Sequence, residues 1–170
     1  RALLAAALTL LAASIGQADE ITYMDGQTNL LGHIILGTNT QLTLSISSGS
    51  AIQSGQISSV VFGGGTDGGV VKSGAGTLTL TGNNTYAGGT RITGGTLAIT
   101  SLGSLGTGAV TVTNGTLSST NLIDLNRALT VDGSTAAASF GNLQIANDPD
   151  STASLTIANG GTVTSGSDVT

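Results

Sequence analysis

Short alternations of apolar and polar residues recur along this chain. They read Leu42-Thr43-Leu44-Ser45-Ile46, Leu78-Thr79-Leu80, Leu97-Ala98-Ile99, Val110-Thr111-Val112, Leu129-Thr130-Val131, Leu143-Gln144-Ile145 and Leu155-Thr156-Ile157. Each puts its apolar side chains on one face and a polar one on the other, the period-two signature of a half-buried strand. Gly, Asn, Asp and Ser clusters separate these short runs and supply the positive φ angles and local hydrogen bonds that turns need. No segment beyond residue 18 has a convincing helical period. Leu122 to Leu129 comes nearest, with apolar residues at 122, 125, 128 and 129, and it reads equally well as strand and turn.

The turns carry a second pattern. An x-Gly-Thr-Leu/Val unit appears at Ala75–Leu78, Gly94–Leu97, Asn114–Leu117 and Gly160–Val163, at intervals of 19, 20 and 46 residues, the last fitting two coils of 23. Self-similarity at such a period marks a solenoid, in which each coil buries its apolar face only against its neighbours. A β-sandwich would show longer strands and core aromatics. A transmembrane barrel would need strands of ~10 residues and aromatic girdles. The expectation is therefore an all-β chain folded as a right-handed parallel β-helix (β-solenoid), with roughly seven coils rising about 30 to 35 Å. Leu, Ile and Val would line its inside, and Thr and Asn would form ladders outside.

Composition narrows the functional classes. The 170 residues include 27 Gly, one Pro, two Tyr, two Phe and no Trp, so the core must be narrow and aliphatic. Charged residues make up only 8%, and the net charge is −5 with four basic residues, Arg1, Lys72, Arg91 and Arg127. That balance lacks the basic footprint of nucleic-acid binding, so no nucleic-acid partner is expected. The absence of Cys excludes disulfides and thiolate metal sites. At the N-terminus, Arg1 precedes the apolar run Ala2–Ala13, and Gly16-Gln17-Ala18 places small residues before Asp19 and Glu20. This reads as a secretory signal peptide over 1–18, forming a helix and cut after Ala18, with β-helical repeats over 19–170. The chain is expected to continue past Thr170, because Gly160–Val163 is followed by no charged or Pro-rich cap.

The segment Val70 to Thr90, VVKSGAGTLTLTGNNTYAGGT, continuing to Gly94-Gly95-Thr96-Leu97, resembles the autotransporter-associated β-strand repeat, also called the passenger-associated transport repeat, with its best match over 70–100. Ser54-Gly55-Gln56-Ile57 and Leu105–Val112 resemble the residues that flank that repeat. The resemblance implies the passenger region of a type V secretion protein, displayed at the cell surface or outer membrane of a Gram-negative bacterium or released from it. It also implies a translocator β-barrel as partner, in a C-terminal part beyond this sequence. A host or cell-surface glycan or protein receptor, and self-association, are further expected partners. The family carries no catalytic residues to transfer.

Candidate sites were weighed against plain structural roles. His33, the only His, stands beside a Gly turn without an evident nucleophile or orienting carboxylate. Phe62 to Val70 (FGGGTDGGV) partly matches a calcium-binding nonapeptide but is a single defective copy, with Phe62 and Gly69 at key positions. Asn147-Asp148-Pro149-Asp150 reads as a turn. The glycine loops at 63–65 and 74–76 lack the Lys and helix start that phosphate binding needs. No Gly-x-Ser-x-Gly elbow is completed at Gly49-Ser50 or Gly103-Ser104. Tyr86 reads as a corner residue packing on the next coil. Asp124, Asp132, Asp148 and Asp150, accompanied only by Arg127, keep open an alternative as a polysaccharide-active β-helix enzyme. The favoured reading is a non-enzymatic stalk for translocation and display, serving adhesion, with no catalytic residue, metal or cofactor.

Overall fold

The computed structural model describes residues 19–29, 33–59, 67–145 and 152–166. The signal-peptide segment, most of the Phe62–Val70 loop and the Asn147–Asp150 turn lie outside these residues. Coil by coil, the chain forms β1 Asp19–Tyr23, β2 Thr28–Asn29 and β3 His33–Leu36, then β4 Gln41–Ile46, β5 Ser50–Gln53 and β6 Gln56–Ser59. The next coils hold β7 Gly69–Ser73 with β8 Thr77–Leu80, and β9 Thr90–Ile92 with β10 Thr96–Ile99. A 3-10 turn at Leu102–Leu105 leads to β11 Val110–Val112, β12 Gly115–Leu125, β13 Ala128–Asp132, β14 Ala136–Ile145, β15 Ser154–Ala158 and β16 Thr162–Ser165.

These strands build two seven-stranded sheets, ordered β1-β4-β7-β9-β11-β13-β15 and β2-β5-β8-β10-β12-β14-β16, with β3 and β6 paired in a third. Neighbouring strands pair in parallel in all three sheets. Successive strands of the chain alternate between the two large sheets, so each coil lays one rung on each. The result is an all-β solenoid of about six turns, rising about 29 Å at roughly 4.8 Å per step.

Register is set by the inward residues. Leu44, Lys72, Ile92, Val112 and Val131 stack in one column, which ends at the half-exposed Ile157. Leu78, Leu97, Leu117, Ala138 and Val163 stack in another. Leu44, Leu78, Ile92, Leu97, Val112 and Val131 are fully buried. Because each coil is too thin to exclude water by itself, these aliphatic columns stabilise the fold only when neighbouring coils complete them. The 46-residue interval between two Gly-Thr-Leu/Val units does contain one further coil, dividing it into 21 and 25 residues. That coil presents Ala136-Ala137-Ala138 where the others present Gly-Thr-Leu, which hid it from the pattern. The ambiguous stretch from Leu122 to Leu129 resolves as strand, turn and strand, since β12 ends at Leu125 and β13 begins at Ala128. No described helix is long and apolar enough to cross a membrane.

The corners demand residues without a Cβ. At Gly95 the backbone has φ 61, and a Cβ would lie 2.4 Å from the Gly76 carbonyl oxygen and 2.5 Å from that of Gly74. Both contacts are backbone of the preceding coil, so the clash cannot be relieved by a rotamer change. Gly26 has a similar φ of 73 with open space around it. Gly95→Ala should therefore cost about 2–4 kcal/mol and Gly26→Ala about 1 kcal/mol, read as shifts in urea midpoint. Equal losses at the two positions would show that φ alone, and not coil-on-coil contact, sets the cost.

Candidate functional site

Lys72, Asn84, Tyr86 and Thr90 are among the polar residues that interrupt the apolar interior, and Thr40, Gln53, Ser104 and Ser119 are buried as well. Lys72 follows Val70 by two positions on β7, so the strand's alternation turns its side chain inward, beneath Ile92. The residue is fully buried. Its ammonium group donates to the carbonyls of Ser73 at 2.6 Å, Gly74 at 3.0 Å and Gly94 at 3.1 Å. Three donors thus meet three acceptors at the corner of two successive coils. Burial nevertheless penalises the charged form and lowers the Lys72 pKa from 10.5 to about 8.

Asn84, Tyr86 and Thr90 form a second cluster between β8 and β9. Asn84 Oδ1 accepts the Ile57 N–H at 2.7 Å, and its Nδ2 donates to the Ser104 carbonyl at 2.6 Å, joining the coils on either side. The Tyr86 hydroxyl lies 2.6 Å from Thr90 Oγ1, and Thr90 Oγ1 donates to the Leu105 carbonyl at 3.1 Å. Tyr86 is fully buried, which places it at a corner against the next coil. Burial pushes its phenol above the ordinary value, while the Thr90 hydrogen bond and the Arg127 charge work in the opposite direction. Arg127 is held below its ordinary value by burial, offset by Tyr86. Its guanidinium donates to Asn126 Oδ1 at 3.1 Å and to the Gly106 carbonyl.

Chemically, these groups are committed to the fold. The Lys72 ammonium is spent on main-chain carbonyls, and the Tyr86 phenol is buried with a raised pKa, so neither is presented to a substrate. The two acidic candidates among the described residues lie in different sheets. Asp124 is exposed on β12, while Asp132 ends β13 in the other sheet and accepts Asn159 Nδ2 at 2.6 Å. Asp148 and Asp150 lie outside the described residues. His33 begins β3 opposite Gln56. The loop at Gly74-Ala75-Gly76 opens strand β8 and not a helix. Among the described residues, no three His, Cys, Asp or Glu side chains gather in a way that could hold a metal ion.

The buried polar residues Lys72, Asn84, Tyr86 and Thr90 all fall within one short stretch of the chain. Residues 70–99 match the family model of the passenger-associated transport repeat. The matched repeat runs from β7 to β10, two complete rungs in the middle of the solenoid. The repeat and the parallel solenoid around it fit an autotransporter passenger repeat protein. No match was found among curated proteins or among solved structures.

Lys72 was the residue that sequence reasoning passed over, counted only as one of four basic side chains. The signal was present in the alternation Val70-Val71-Lys72, which assigns Lys72 to the inward face. Its titration gives a sign that can be checked. The folded-state pKa of about 8 lies below the unfolded value of 10.5, so the unfolded chain binds more protons in between. Stability should rise with pH across that window, as the cost of a buried charge is relieved. Urea midpoints measured from pH 7 to 10.5 should climb for the native chain and climb less for Lys72→Met. Parallel profiles would mean that the Lys72 ammonium is not penalised.

Proposed function

We propose that this chain is a non-enzymatic passenger segment, a β-helical stalk that supports its own passage across an outer membrane and holds an adhesive surface away from the cell. The observation that carries this reading is the transport repeat at residues 70–99, embedded in an unbroken parallel solenoid. A solenoid of this kind suits a stalk because each coil needs only its predecessor to complete its core, so folding can advance as the chain emerges. Its outer faces carry distributed Thr and Ser hydroxyls, such as Thr77, Thr96 and Thr116 in one column. The partners that follow from the reading are a translocator β-barrel and a surface glycan or protein receptor. The setting is the surface of a Gram-negative bacterium.

A deletion pair tests the transport role in cells carrying the whole gene. Removing residues 72–91 excises one coil of the repeat, and removing 112–130 excises one coil outside it, with stacking register kept in both cases. Surface display, read by antibody on intact cells, should fall several-fold more for the first deletion than for the second. Equal display of both would contradict a special role for the repeat.

A further inference from the structure

Most coil-to-coil contacts in this solenoid are interchangeable. Leu78, Leu97 and Leu117 stack in one column. Gly76, Gly95 and Gly115 occupy the same corner, each close to the main chain of the preceding coil. From Lys72 to Val131 successive coils differ in length by at most one residue. Such a chain can be caught during folding in another register, in which one coil loops out and β8 pairs directly with β12.

The joint at Tyr86 is among those that are not interchangeable. Gly106, at φ 69, lies under the Tyr86 ring so closely that a Cβ would sit 2.8 Å from Cδ2 and 2.9 Å from Cε2. The 3-10 turn just before it brings the Ser104 and Leu105 carbonyls to Asn84 and Thr90. Counting back from the Val110–Leu129 pair aligns Gly106 with Leu125, and counting forward from the Thr96–Thr116 pair aligns it with Asn126, so the following coil carries a side chain where Gly106 has none. In the skipped arrangement that side chain would claim the space of the Tyr86 ring.

We propose that the Tyr86 ring seated over Gly106 is the register key of the solenoid, dictating that the coil of β9 and β10 stacks on the coil of β7 and β8. It is a knob matched by a hole at Gly106, and the hydrogen bonds of Asn84 and Thr90 close around it. The assignment is independent of any role in export.

The native chain has no Cys, so paired cysteines report register directly. Thr77 and Thr96 are partners at roughly 4.8 Å, within disulfide range, whereas Thr77 and Thr116 stand two steps apart at roughly 9.6 Å, beyond it. The 170-residue chain is refolded from urea and oxidised with either T77C/T96C or T77C/T116C, in the native background and with Tyr86→Leu. The T77C/T116C cross-link should be near background with Tyr86 and rise about tenfold with Tyr86→Leu, while T77C/T96C still forms in most chains. A Tyr86→Phe, Thr90→Val double variant keeps the ring and should show no rise. The proposal is overturned by no rise with Tyr86→Leu, by an equal rise in the double variant, or by loss of both cross-links with Tyr86→Leu, which would make Tyr86 a requirement for folding at all.

Discussion

Neighbouring coils of this chain are tied at the interstrand distance along two faces at once, and that close approach governs everything else in the molecule. Two parallel ladders leave no freedom to spread the coils, so a corner residue stands almost against the main chain of the coil before it. Glycine at 95 and 106 follows from this, as does the lack of room for a broad aromatic core. The interior is instead built of stacked columns, mostly Leu, Ile, Val and Ala, in which each side chain away from the ends is covered by its counterparts above and below. Stability is then a sum of nearest-neighbour terms and not the property of one central cluster.

Within that frame the buried polar groups acquire meaning. Lys72 and Asn84 each bond to main-chain groups of another coil, and Thr90 bonds the Leu105 carbonyl, at the points where the chain leaves one sheet for the next. Corners expose carbonyls and amides that the ladders do not use, and a buried group of this kind is costly unless paired. These side chains satisfy the corners from within. These three lie within residues 70–99, while Thr40, Gln53, Ser104 and Ser119 are buried on either side of that repeat.

Much of this was legible in the residues because the controlling periods are short and local. The alternation of two in Leu78-Thr79-Leu80 gave the inward face, and the spacing of Gly-Thr-Leu units gave the coil length. Where a coil departs from the unit, legibility failed: Ala136-Ala137-Ala138 packs in the same columns without the Gly-Thr signature. Strand β9, Thr90-Arg91-Ile92, was likewise hidden because a buried Thr stands where neighbouring coils place Val70 and Val110. Lys72 was passed over because it was counted only for its charge, although its place in the alternation assigned it inward. The Tyr86 corner was read correctly from sequence, but its fit over Gly106 depends on two residues 20 positions apart and emerges only once the coils are stacked.

The stacking itself is open to direct test by through-space proton contacts in the isotope-labelled protein. The account predicts main-chain contacts joining Leu78 to Leu97 and Leu97 to Leu117, at separations of 19 and 20 residues in parallel register. Contacts confined to adjacent segments in the antiparallel pattern of hairpins, with none at those separations, would contradict it.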